Sequence, residues 1–229
     1  MLANRAVVRI ARQWKKQIRK GGMIRLGLRY FPPNYIFRPA FNSESIVIDC
    51  GCGYEAELSQ HLIGRFGLRA FGVDPTQKHG PVLNALSQRL DGRFVHLPLA
   101  VGALDGMMRF SESVNNESGS LLGDHVNVLD RAETRSYDVQ VVSLRSLVQQ
   151  VKSSQVDLLK LDLEGAEYEL LGGVSYDDVA PFAQIFVEFH HHAVQRYSPS
   201  DTAKIVERVR GLGFSSYSID DHNFLFWQR

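Results

Sequence analysis

Cysteine is scarce in this chain: two in 229 residues, Cys50 and Cys52, with a single glycine between them. That spacing suits neither a disulfide framework nor, alone, a four-ligand zinc site. The flanking Ile46-Val47-Ile48, Gly51 and Gly53 predict small buried side chains at a strand end. Long apolar runs are absent too, none approaching the roughly 18 to 20 residues that cross a bilayer. The N-terminus has no apolar stretch of the kind a secretory signal needs, so a cytoplasmic protein is expected. The 19 Gly and eight Pro follow no period, which excludes collagen-like and solenoid architectures. Composition is otherwise that of a folded domain, and disorder is excluded with it.

Negative charge is missing from residues 1–40, where the first carboxylate is still to come at Glu44. That stretch holds ten of the 26 Lys and Arg, so the remainder carries 16 basic against 25 acidic residues. Within it, Val7, Ile10, Ala11, Trp14 and Ile18 recur at three- and four-residue spacing, which predicts a basic amphipathic helix over 5–20. Gly21-Gly22 and Pro32-Pro33 interrupt the chain after it. We therefore expect an N-terminal helical extension over 1–40 and one compact domain over 41–229. The extension is expected to dock on the domain, with peripheral contact to an anionic membrane as the second reading. Nucleic acid is not expected as a partner, since no recognised motif accompanies the charge. The oligomeric state has no signature in the sequence.

From residue 46 the pattern alternates strands with helices. Strands are predicted over 46–48, 69–73, 94–97, 139–142, 156–162 and 185–189. Helices are predicted over 56–66, 81–90, 143–152, 164–171 and 200–210, the last capped by Ser200 or Asp201. This rhythm means an α/β protein with right-handed crossovers and a mostly parallel sheet. Residues 102–138, polar and irregular around 111–120, read as a loop over the sheet's carboxyl edge and a candidate lid. The tail, FSSYSI then DDHN then FLFWQR, reads as an antiparallel hairpin.

Chemistry-bearing residues gather where strands are predicted to end. Asp49-Cys50-Gly51-Cys52-Gly53 follows the first strand, and glycine there lets the backbone turn sharply against a ligand. Gly51, Gly53 and Ala56 also satisfy the dinucleotide pattern GxGxxA, with Asp74 near the distance of a ribose-binding acid. Asp49 separates the readings: a carboxylate beside this turn would repel a pyrophosphate and suit a ligand with a cationic amino-acid portion. Asp74 could accept both ribose hydroxyls. Farther on, Lys160, Asp162 and Glu164 alternate with leucines and are expected on one strand face, with a structural Lys160 ion pair as the plainer reading. Glu188 and His190 are likewise two apart. Asp162, Glu164, Glu188 and His190 could converge as a general base with its orienting partners, and such a set is also compatible with a divalent cation without requiring one.

The order Asp49-x-Gly51, Val73-Asp74-Pro75, Leu99-Ala100-Val101-Gly102, Leu159-Lys160-Leu161-Asp162-Leu163-Glu164-Gly165-Ala166-Glu167, Leu171-Gly172-Gly173 and Val187-Glu188 resembles the FkbM family of methyltransferases over residues 46–190. The resemblance implies a Rossmann-like class I methyltransferase fold, with seven mostly parallel strands and a C-terminal antiparallel hairpin. It implies S-adenosylmethionine as methyl donor and O-methylation of a hydroxyl on a sugar, glycan or secondary metabolite. The expected cofactor contacts are Asp49, Gly51, Gly53, Asp74 and Asp162. Glu164, Glu188 and His190 are expected to position and deprotonate the acceptor, with Lys160 balancing their charge. Two departures stand out: Gly51-Cys52-Gly53-Tyr54-Glu55 replaces the family's Gly-Ala-Asn-x-Gly, and Leu144-Arg145 its Leu-Asp. The competing readings are a nicotinamide-dependent oxidoreductase, which leaves Asp49 and the hairpin unexplained, and a noncatalytic binding module of the same fold.

Overall fold

The computed structural model describes residues 19, 21–126 and 133–229, so most of the helix expected over 5–20 lies outside the described residues. A short hairpin, β1 (Arg29–Phe31) and β2 (Tyr35–Phe37), precedes the main sheet. That sheet contains β3 (Ile46–Cys50), β4 (Arg69–Val73), β5 (Phe94–Leu97), β10 (Leu158–Leu161), β11 (Gln184–Glu188), β12 (Phe214–Ser218) and β13 (Asn223–Gln228). Its strand order is β12-β13-β11-β10-β3-β4-β5. Neighbours from β11 to β5 pair in parallel, while β13 runs antiparallel to both β11 and β12. The tail hairpin therefore enters the sheet with its second strand innermost. This is the Rossmann-like class I methyltransferase arrangement.

Alternation along the strands distributes side chains to two cores. Ile48, Leu159, Ile185 and Val187 pack on one face beneath α3 (Leu144–Val151), α4 (Glu167–Gly173), α5 (Tyr176–Val179) and α6 (Pro199–Gly211). Val47, Leu158 and Phe186 pack on the other beneath α1 (Glu57–Phe66) and α2 (Gly80–Arg89). Leu28, Ile36 and Phe37, N-terminal to residue 41, are buried in that second core. Arg19 reaches the tail hairpin, its guanidinium 2.7 Å from Asp221. The cap of α6 is Ser198, two residues earlier than expected: its hydroxyl accepts from Asp201 N while the Asp201 carboxylate accepts from Ser198 N, with Pro199 beginning the helix.

Residues 102–138 are not the irregular loop that the sequence suggests. β7 (Gly106–Ser113) pairs along its whole length with β9 (Thr134–Val142), joined by β6 (Ala100–Val101) and β8 (Gly119–Ser120) into a second four-stranded sheet. Phe110, Val139 and Val141 form its small core with Ala100. At the Gly106 end of the hairpin Met107, Met108 and Leu104 are open to water while Val139 and Val141 on the paired strand are buried, so polar and apolar residues show no clean alternation there.

Candidate active site

The carboxyl ends of β3, β4 and β10 open into a cleft with about 760 Å³ of empty space, continuous with solvent. Gly51, Gly53, Asp74, His79, Leu99, Ala100, Val101, Asp162 and Glu164 line it. Phe110, Glu117, Ser118, Gly119 and Leu121 of the inserted sheet cover it. Gly51 and Gly53 hold φ of +70° and +62°. A side chain at Gly51 would meet the Asp162 carbonyl oxygen at 1.9 Å, so the turn and the end of β10 touch backbone to backbone.

Asp74 forms part of the wall between the turn and α2. Its Oδ1 accepts Thr76 N at 2.9 Å; its Oδ2 accepts Gly53 N at 3.0 Å and lies 3.2 Å from His79 Nδ1. Burial works to raise its pKa, but these hydrogen bonds outweigh burial and hold it below the usual carboxylate range.

Lys160, 2% exposed, sits beneath the turn. Its Nζ lies 3.3 Å from Asp49 Oδ1 and 3.2 Å from Asp162 Oδ2, and donates to Gly51 O at 2.5 Å. Asp49 is buried, takes a hydrogen bond from Ser59 Oγ at 2.7 Å, and does not line the cleft. Asp49 is singled out by its place before the glycine turn, and Lys160 by alternation with Asp162 and Glu164. Alternation does not tell the covered face from the open one, and both side chains point beneath the turn.

β10 ends at Leu161, and residues 162–166 form a tight turn before α4, in which Glu164 holds φ of +50°. Glu164 is therefore neither in the strand nor in the helix, yet it reaches the cluster. His190 Nε2 is 3.4 Å from both Asp162 Oδ1 and Glu164 Oε2, and Nδ1 is 3.1 Å from Glu167 Oε1. Glu188, at the end of β11, is partly buried and feels the charges of Asp162, His190 and Lys160, but does not line the cleft. Two members have no signal at the level of spacing. Glu167 is fully buried at the start of α4, where its carboxylate also accepts His190 N and Gly165 N at 2.9 Å. His125, a lone histidine of the inserted segment, is 0% exposed with Nε2 2.7 Å from Glu164 Oε2.

The methyltransferase FkbM domain model matches residues 32–216. The chain belongs to the FkbM methyltransferase family. A search of curated proteins finds no match. Among solved structures, the chain is similar to a protein of a fibrillarin/Nop5p complex, with 12% identity, 82% of this chain and 74% of that one covered, and a TM-score of 0.49. Fibrillarin pre-rRNA processing protein of Methanococcus jannaschii follows, with 10% identity, 88% and 70% covered, and 0.48. The N-terminal domain of human METTL16 in complex with S-adenosylhomocysteine has 8% identity, 81% and 61% covered, and 0.45.

As an FkbM methyltransferase the protein uses S-adenosylmethionine, and the cleft fits that donor. Its close-packed glycine turn leaves room for a ligand along the backbone. Asp74, Glu117, Asp162 and Glu164 face a molecule that bears an ammonium and a sulfonium, with no lysine or arginine among the described lining residues. A divalent cation finds less support: among the described residues no three His, Cys, Asp or Glu side chains are arranged to hold a metal ion. Asp162 and Glu164 are instead drawn to His190.

The electrostatics revise the part expected of His190. Burial disfavours its charge, but the hydrogen bond and charge of Glu167, then Asp162 and Glu164, push it up to about 10. These neighbours favour the charged ring, which holds the carboxylates of Asp162, Glu164 and Glu167 around it. Lys160 is likewise a fixed cation: burial opposes its charge, yet Asp162 and Asp49 keep its pKa well above the ordinary value. The carboxylates of this cluster do not share one electrostatic environment. Burial, followed by the charge of Asp162, pushes Glu188 up to about 7. Burial raises Asp162 against the pull of Lys160 and His190. Glu164 goes the other way, since His125 and His190 outweigh its burial.

Proposed function

We propose that the protein transfers a methyl group from S-adenosylmethionine to a hydroxyl of a neutral polyol, a sugar, glycan or secondary metabolite, with Asp162 as the proton acceptor. The observation that carries this reading is Asp162 itself: it lines the cleft beside the glycine turn and holds a proton more readily than an ordinary carboxylate. When bound, S-adenosylmethionine supplies a methyl carbon already activated for in-line displacement, so the chain's task is alignment and exclusion of water. Gly51 and Gly53 receive the amino-acid end, Asp74 the ribose. His190 and Lys160 anchor the Asp162 carboxylate from two sides, leaving its direction fixed toward the cleft. Glu164, fixed by His190 and His125, accepts a second hydroxyl hydrogen bond and orients the acceptor. Glu188 exchanges its proton with the cluster near neutral pH. Four carboxylates and no fixed cation among the described lining residues favour hydroxyl donors and repel phosphorylated acceptors.

Two measurements test this reading. Calorimetry with S-adenosylhomocysteine should show binding to the wild type, while nicotinamide dinucleotides give no heat. Asp162→Asn should retain that affinity within a few-fold and lower methyl transfer to a polyol panel by about 10²–10⁴-fold. Transfer at the wild-type rate by Asp162→Asn removes Asp162 from the role.

For the N-terminus we propose peripheral contact with anionic lipid. Ile24 and Leu26 are 64% and 48% exposed beside the exposed Arg25 and Arg29, an apolar and basic pairing suited to a headgroup layer. Among the described residues no helix is long and apolar enough to cross a membrane. Full-length protein should pellet with vesicles containing phosphatidylserine at low salt, and be released at high salt or by Ile24→Ser/Leu26→Ser. Equal partitioning of wild type and variant refutes this contact.

A further inference from the structure

A carboxylate offers about four acceptor positions, two on each oxygen. At least three of the four on Asp74 are occupied within the chain: Thr76 N on Oδ1, and Gly53 N and His79 on Oδ2, with the Thr76 hydroxyl also drawn to the carboxylate. At most one position remains, on Oδ1. The two-handed grip on a vicinal diol expected of Asp74 is thus not available to it alone.

His79, five residues on, is the residue that precedes α2 and lines the same cleft. It is 4% exposed, and among the described residues its Nε2 has no hydrogen-bond partner. Asp74 Oδ2 can only accept, so Nδ1 carries the hydrogen between them, and in that tautomer Nε2 offers a lone pair. A buried acceptor without a partner bears the full loss of its hydration. Tyr54 of the glycine turn lies beside the ring, centroids 6.0 Å apart, and supplies no hydrogen bond.

We propose that His79 is the second half of the ribose grip: Asp74 Oδ1 accepts one vicinal hydroxyl of the methyl donor and His79 Nε2 accepts the other. The inference rests on the S-adenosylmethionine reading above and adds a specificity residue to it. His79 binds and takes no part in the chemistry. The geometry also divides the labour of the dyad, Asp74 fixing the ring's tautomer and the ring presenting the acceptor.

The test is calorimetry on full-length protein with S-adenosylhomocysteine and its 2′-deoxy and 3′-deoxy analogues. His79→Asn is the informative variant, because its side-chain amide can keep the hydrogen bond to Asp74 while Nε2 is gone. His79→Phe removes both, and a thermal melt checks that each variant is folded. The expected result is a loss of about 10-fold for His79→Asn with S-adenosylhomocysteine. With one of the deoxy analogues, wild type and His79→Asn should bind equally, since the hydroxyl that Nε2 accepts is missing. Unchanged affinity in His79→Asn, or the same loss with all three ligands, overturns the proposal and leaves His79 as a brace for Asp74. Failure of the wild type to bind S-adenosylhomocysteine at all instead overturns the reading of the cleft, and this inference falls with it.

Discussion

Lys160→Met should cost the protein about 3–5 kcal/mol of folding stability, read as a large fall in the urea midpoint. The ammonium is 2% exposed, and its partner Asp49 is 1% exposed. Methionine fills much the same volume but leaves the Asp49 carboxylate to the hydrogen bond from Ser59. Asp162 loses a counter-charge at the same stroke, and Gly51 O loses its donor. The double variant Asp49→Asn/Lys160→Met should recover a good part of the loss, because a buried pair removed whole is far less harmful than one broken in half. If Lys160→Met unfolds at the wild-type midpoint, the ion pair does not brace the glycine turn.

The second large effect is a dependence of stability on pH. The folded-state pKa of His190 lies near 10, above the unfolded value of 6.5. Its contribution to stability is therefore complete below about pH 6.5 and disappears as pH rises through 10. The difference corresponds to a contribution on the order of 4–5 kcal/mol. Glu188 also favours the protonated folded state, but its window, from 4.5 to about 7, ends where that of His190 begins. Urea melts from pH 7 to 10 should show the wild type losing stability steadily while His190→Gln, already weaker at pH 7, stays nearly level. Parallel declines for the two proteins would place the titrating group elsewhere, and a histidine proton titration by NMR would show which.

Much of this site can be read from the residues alone, and the limits have physical causes. The strand-helix rhythm and the apolar tail hairpin place the carboxyl edge of the sheet, and with it Gly51, Gly53, Asp74 and Asp162 in the cleft wall. Period-2 alternation pairs Lys160 with Asp162, but it has no term for what covers each face, so Asp49 reads as open when it is buried against Lys160. Spacing also cannot show that β10 ends at Leu161, since the left-handed turn at Glu164 arises from close packing, with Gly165 against Leu122 and Val194. His125 and Glu167 meet their partners across 39 and 23 positions of sequence, where local pattern has no reach. The inserted sheet escapes notice because its exposed Gly106 end carries methionines where polar residues would normally mark a solvent face.

The position of β13 bears on how the molecule is made. β12 leaves the ribosome first, yet its seat in the sheet is one place beyond β13, and β11 has no neighbour on that side until β13 arrives. A nascent chain that has emerged only as far as residue 218 must hold β11 with a bare hydrogen-bonding edge, the state most open to mispairing and to chaperone capture. The arrival of β13 thus decides when that open edge is closed.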